Sequence, residues 1–278
     1  MSELRVLNAT RYVQPLREGG SLPAIVDTDG DGLFVAKFRG AGQGAKALIA
    51  ELIVGVLAQE VELPIPDLAL IKIPESFGRS EPDPEIQDLL RNSHGVNFGI
   101  RYLDGAFNFE PNAAEEFISS ELASRIVWFD AFLTNPDRTH RNPNLLIWNR
   151  KPWLIDHGAA LYAHHDWQSV DETRTRSPFP LIKDHVLLSA AGEIEGADKW
   201  MIEHLTKETI VKAVSEVPDE LLRDKTVAAD FSKPAQARRR YVEYLTQRLT
   251  EPRAFVTEAI EARRRAKRIK PRRVAARR

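Results

Sequence analysis

An α+β chain in two lobes, strand-rich up to about residue 104 and mainly helical beyond it, is the architecture this sequence predicts. Three features carry the prediction. The segment LPAIVDTDGDGLFVAKF holds two runs rich in β-branched and aromatic residues around an Asp/Gly turn, which is a hairpin pattern. EEFISSELASRIVWFDAFLTN, TKETIVKAVSEV and ARRRYVEYLTQRL space their apolar residues at helical intervals. Between the first two of these lie NLLIW and PWLID, separated by Asn149, Arg150 and Lys151 as a tight turn would separate two strands.

After the first hairpin, AKALIAELIVGVLA from Ala45 to Ala58 has helical spacing, and Pro64 and Pro66 end it before the strand run DLALIKI. Pro74 to Ser93 is rich in Pro, Ser and charge and suits an exposed loop or a short helix. VNFGIRYLDG reads as a strand leaving into a glycine turn, and PNAAEEF opens the helical region. The chain therefore divides into a lobe of residues 1–104, a lobe of residues 105–252 and a basic tail of residues 253–278, helical at its start and then flexible.

The bulk properties bound the function. A chain of 278 residues with 43% hydrophobic residues can bury a sizeable core. It has no cysteine, which excludes a disulfide framework, thiolate metal sites and a cysteine nucleophile, and fits a reducing cytoplasm. No apolar run reaches the roughly 20 residues of a membrane-spanning helix, and MSELRVLNAT lacks the apolar stretch of a signal peptide. A cytoplasmic address is expected. The net charge of -1 conceals an asymmetry, because residues 263–278 carry ten Lys or Arg and no acid. Subtracting those ten from the 39 basic residues leaves 29 against 40 acidic ones in the body. The tail could be solvated, dock on the acidic body, or attract nucleic acid or a membrane surface.

The chemistry concentrates in TNPDRTHRNPNLLIWNRKPWLIDHG. It orders an Asp, an Asn, a strand pair and a second Asp as phosphoryl transfer requires. Asp137 stands where a catalytic-loop carboxylate accepts a hydroxyl proton. Asn142, five residues on, and Asp156 in Asp156-His157-Gly158 stand where Mg2+ is held. A short loop lets a carboxylate and an amide oxygen face one ion, and the hairpin returns the second carboxylate to them. Magnesium takes hard oxygens together with substrate phosphates, so two or three protein ligands suffice.

Upstream, Lys37 in VAKF matches a phosphate-binding strand lysine, and Glu51 on the following helix is placed to form its ion pair. Gly19, Gly20 and Ser21 in REGGSLP occupy the place of a phosphate-covering loop, although the spacing is not G-x-G-x-x-G. Lys46 is expected to reach a phosphate, and Tyr102 and Leu103, where the last strand of the first lobe leaves, complete the expected ATP-binding set. His140, inside the catalytic loop, is a candidate to orient Asp137 or contact phosphate.

Three other patterns compete. Asp27, Asp29, Asp31 and Gly32 imitate the start of an EF-hand loop, but its twelfth position is Phe38, and a hairpin turn explains them. GAGQGA satisfies a relaxed dinucleotide fingerprint, yet the strand before it carries Lys37 and Arg39, and that reading leaves Asp137, Asn142 and Asp156 unexplained. His157, His164 and His165 with Asp156 contain no i, i+4 histidine pair, so His164 and His165 are expected in packing or surface roles rather than on a metal.

REGGSLPAI, VAKFRGAGQGAKALIAEL, WFDAFLTNPDRTHRNPNLLIW and WLIDHGAAL resemble stretches of bacterial HipA-like kinases, over most of the chain up to about Leu161. The resemblance implies a two-lobed protein-kinase-like fold, Asp137 as base, Asn142 and Asp156 on Mg2+, Lys37 on ATP and Ser21 as a site of autophosphorylation. It departs from the family at two points. The chain opens almost at once on the nucleotide lobe, so an additional N-terminal subdomain and the antitoxin contact built with it are expected to be missing. There is also no A-P-E motif. DRTHRN and DHG resemble phosphatidylinositol kinases equally well, so the reaction type is better defined than the acceptor. A protein Ser/Thr kinase, a small-molecule kinase and an inactive nucleotide-binding adaptor with a nucleic-acid-binding tail all stay open.

Overall fold

A computed structural model describes residues 4–16, 22–30, 32–42, 44–79, 81–111 and 114–268. Strands β1 (Arg5–Pro15), β2 (Ala24–Thr28), β3 (Gly32–Lys37), β4 (Leu68–Ile73) and β5 (Gly95–Arg101) close into a barrel in the order β1-β2-β3-β5-β4. The parallel pairing of β1 with β4 closes it, and the other neighbours are antiparallel. Alternation along the strands divides two environments. Ala24, Val26, Phe34, Ala36, Ala69 and Ile71 fill the interior, while Val35, Leu68, Leu70, Phe98 and Ile100 join the large core shared with the helices. Gly99 pairs with Ala36 and Ala69, and a Cβ there would lie 2.6 Å from Ile71, so the narrow barrel requires a residue without one.

Helix α1 (Gly44–Glu60) follows β3 and is buried continuously from Ala45 to Ala58. A helix apolar on all sides must be covered on all sides. The barrel takes one side, and α7 (Lys207–Ser215), α8 (Asp219–Leu222) and α9 (Lys225–Ala228) take another. Pro74 to Ser93 contains α2 (Pro84–Arg91), the short-helix alternative of the sequence reading. Asp83 caps it by accepting from the Glu85 N–H, and Ile86, Leu89 and Leu90 pack against the barrel interior.

A second sheet, β6 (Phe107–Asn108), β7 (Leu145–Trp148) and β8 (Lys151–Leu154), stands at the entrance to the second lobe. Asn149 and Arg150 have φ of 49° and 59°, the left-handed pair that a two-residue hairpin turn needs. The remaining helices are α3 (Ala114–Phe117), α4 (Ser120–Phe132), α5 (Glu172–Thr175), α6 (Ile194–His204), α10 (Pro234–Leu249) and α11 (Ala254–Arg268). Central among them is α4, whose Trp128 and Phe132 stack at 5.4 Å and meet Phe255 of α11 at 5.3 and 5.8 Å.

The first part of the segment assigned to a basic tail is helical, as expected, and that contact docks it on the lobe. Phe255, Val256, Ala259 and Ala262 are buried in the lobe. Arg263, the first residue of the basic run, is 7% exposed and donates its Nε–H to the Ala191 carbonyl. The strand-rich first lobe and helical second lobe are otherwise as the sequence predicts. No helix among the described residues is long and apolar enough to cross a membrane.

Candidate active site

Lys37 ends β3 on the barrel face turned toward the helices, and Glu51 lies in the third turn of α1 directly beside it. Lys37 Nζ donates to Glu51 Oε1, and to Asp156 Oδ1 at 2.6 Å. Glu51 Oε1 also accepts the His157 N–H at 3.0 Å, which ties the helix to the backbone just after Asp156. Lys37 is 8% and Glu51 1% exposed, whereas the Asp156 side chain keeps 42% of its surface open. Burial works against the Lys37 charge, but the Glu51 and Asp156 carboxylates outweigh it and raise its pKa. Burial pushes Asp156 up, and Lys37 more than reverses this, so Asp156 stays ionised. Burial also pushes the Glu51 carboxyl up, opposed by Lys37.

The loop between α4 and β7 carries Asp137. Its N–H donates to Asn135 Oδ1 at 3.1 Å, and its Oδ2 accepts Nδ2–H groups from Asn142 at 2.9 Å and Asn144 at 3.1 Å. Asn144 Nδ2 also lies 3.5 Å from the Asp156 carbonyl. Asn144 is 8% exposed, and Asn142 stands on the exposed rim. Asn144 thus reaches both carboxylate-bearing segments. The sequence reading passed over it by counting five residues from Asp137. The usable signal was its position immediately before the strand LLIW.

Beneath the loop, Arg138 and Asp130 have fully buried side chains. Arg138 Nε donates to Asp130 Oδ2 at 2.6 Å, its Nη1 to the carbonyls of Asn144 and Ile155, and its Nη2 lies 3.2 Å from His157 Nδ1. Asp130 further accepts from Asn135 Nδ2 and His185 Nε2, each at 2.9 Å. His185 Nδ1 accepts the Leu187 N–H at 3.1 Å, so Nε2 carries the proton it gives to Asp130. Burial raises the Asp130 pKa, but Arg138 and His185 bring it far below the usual carboxylate range. Burial, reinforced by Arg138, lowers His157 to about 3, so its imidazole stays neutral.

The fold therefore brings together Lys37, Glu51, Asp137, Asn142 and Asp156. Lys46 is not with them, because its ammonium pairs with Asp230 at 2.9 Å on the other side of α1. Tyr102 and Leu103 form the exit from the barrel, where the Tyr102 N–H is taken by the Leu33 carbonyl at 3.0 Å. Gly19, Gly20 and Ser21 lie outside the described residues. His140 is exposed, and the three asparagines, not His140, orient Asp137. Asp29 bonds the Asn8 N–H and Nδ2 in the hairpin expected in place of an EF-hand. His164 is a packing residue, its Nδ1 3.1 Å from Tyr241 Oη, and no cluster of three or more His, Cys, Asp or Glu with metal-holding geometry occurs among the described residues.

A family model described as HipA-like kinase matches residues 10–233. Ten chains of known structure match. One is the Helicobacter pylori proinflammatory kinase CtkA, with a TM-score of 0.54 and 11% identity over 92% of this chain and 99% of that one. At that identity the likeness is one of fold. No curated protein matches.

Proposed function

The chain belongs to the HipA-like kinase family, and from that premise we propose that it transfers the γ-phosphate of ATP, with magnesium, to a serine or threonine hydroxyl of a protein. The observation that carries this reading is the convergence of Lys37, Glu51 and Asp156 beside an Asp137 held by amides of the same loop. The residues suit magnesium, since Asp156, Asp137 and the Asn144 amide offer hard oxygens and neither thiolate nor imidazole. Asp156 and Asn144 would hold the ion. The placement of Asn144 favours it over Asn142, whose role becomes the orientation of Asp137.

When bound, magnesium neutralises charge on the phosphates and on the transferring group. Lys37 supplies a fixed cation for phosphate oxygens, and Glu51 holds its ammonium beside Asp156. Asp137 takes the proton of the acceptor hydroxyl. Both amides engage its Oδ2, leaving Oδ1 without an amide partner among the described residues as the atom facing the acceptor. Exposed His140, Arg141 and Asn142 rim this carboxylate, an open setting that suits a hydroxyl on a macromolecule better than a metabolite enclosed in a pocket.

Incubation with magnesium and γ-labelled ATP, alone and with cell lysate, tests the reading. Label should appear on protein and vanish in Asp137→Ala and Asp156→Ala. Label confined to small molecules would move the acceptor to a metabolite. ATP binding without transfer would favour an adaptor.

A further inference from the structure

The three groups assigned above to transfer and metal binding sit on two separate loops. Two of the residues concerned, Asn144 and Asp156, have φ of 49° and 55°. Residues other than glycine rarely occupy that left-handed region, and they persist there only where the surroundings over-determine the backbone. The Ile155 N–H already joins the two loops by donating to the Asn144 carbonyl at 3.1 Å, and one buried side chain reaches both of them. Arg138 follows Asp137 directly and places its guanidinium on the carbonyl of Asn144, on the carbonyl of Ile155 just before Asp156, and on Nδ1 of His157 just after it. Its own carbonyl is fixed by the Val186 N–H at 3.0 Å. Resting on the kinase reading above, we propose that Arg138 is a positioning residue for phosphoryl transfer, a single rigid fork that locks the Asp137–Asn144 loop to the Asp156 loop.

Asp130 makes this possible by serving as an internal counterion. It reaches Arg138 from α4, is held in turn by Asn135 and His185, and leaves the remaining guanidinium donors for backbone and imidazole. A buried ion pair is weak warrant for stability, because desolvation offsets much of the attraction. Its value here lies in geometry, since the planar guanidinium presents donors in several fixed directions and a lysine ammonium cannot reproduce them.

The test compares Arg138→Lys with Phe255→Leu, a core change in α11 whose ring packs on Trp128 and Phe132 of α4, at a temperature where each is folded. A second variant, Arg138→Met combined with Asp130→Leu, removes both charges so that neither is left buried alone. Three quantities are read: amide hydrogen exchange along the chain, kcat, and the magnesium concentration giving half-maximal transfer. Exchange in Arg138→Lys and in the double variant should quicken at least tenfold at residues 144–145 and 155–158 relative to Phe255→Leu. Their kcat should fall on the order of a hundredfold, as misplacement of reacting groups by about an ångström does, and the magnesium requirement should rise. Exchange, kcat and magnesium requirement equal to those of Phe255→Leu would overturn the proposal. Absence of transfer by the unaltered protein would overturn the kinase reading instead, and the exchange comparison would still decide whether Arg138 locks the loops.

Discussion

Glu51→Gln isolates the charge of the Lys37 partner from its hydrogen bonds. Both contacts of the Glu51 side chain, from Lys37 Nζ and from the His157 N–H, fall on the same oxygen, Oε1. A glutamine of the same shape can present its amide oxygen to both. Only the negative charge is lost. Lys37 keeps its charge, so its bond to glutamine stays charge-assisted on the donor side, and losing the acceptor charge removes part of the about 1.5–3 kcal/mol such bonds contribute, roughly 1–2 kcal/mol. That corresponds to a 5- to 30-fold loss if it is felt in the transition state. Lys37 then leans on Asp156, its remaining carboxylate at 2.6 Å, and opposes the recruitment of Asp156 to metal. Initial rates over a range of ATP and magnesium concentrations should show kcat/KM for ATP lowered by that factor and a higher magnesium requirement, beside a Lys37→Met control without activity. A kcat/KM within twofold of the unaltered protein would refute the claim that Glu51 positions Lys37.

The two asparagines can be separated the same way. Asn144→Ala should lower transfer at least a hundredfold and raise the magnesium requirement, whereas Asn142→Ala should cost no more than about tenfold with the requirement unchanged. The reverse result would return the metal to Asn142. Acid should also weaken the fold through His164. Burial, then His165 and Lys46, lower its pKa well below 6.5, so below pH 6.5 the unfolded chain takes up a proton that the folded chain refuses. The stability is full above that pH and falls by about 1.4 kcal/mol per unit below it, or roughly 2 kcal/mol by pH 5. Urea unfolding at pH 7.5 and pH 5.0 should show this difference shrinking by that amount in His164→Gln, and an unchanged difference would exclude His164 as its source.

The parts legible in the sequence were those fixed by local register. Lys37 closes a strand, Asp156 follows a hairpin, and the two side chains meet at 2.6 Å. Strand β1 was missed because only Ala9 along it is fully buried, so it carries no apolar alternation, and its parallel partner β4 is more than 50 residues away. Lys46 was misplaced because it follows a glycine turn. Five residues separate it from Glu51, about 140° around a helix, so the two cannot share a face. Residues 255, 256, 259 and 262 do show a buried helical stripe, but the arginines after them made the segment read as a tail.

Helix α1 connects these observations. Toward the cleft it presents Glu51 to Lys37, and from its other faces Lys46 pairs with Asp230 and Glu60 with Lys212, at 2.9 and 2.6 Å. Its apolar residues pack at once on the barrel and on helices of the second lobe. Withdrawing Glu51 from Lys37 by a swing of α1 would break both anchoring pairs and expose side chains each costing about 1.5–3 kcal/mol to return to water. Even three such side chains exceed the 1–2 kcal/mol assigned to the Glu51 charge. The helix therefore cannot serve as a low-cost switch for the Lys37–Glu51 pair. The buried Arg138–Asp130 pair acts likewise on the other side of Asp156. Lys37, Glu51 and Asp156 are held in their relative positions by the packing of both lobes on α1.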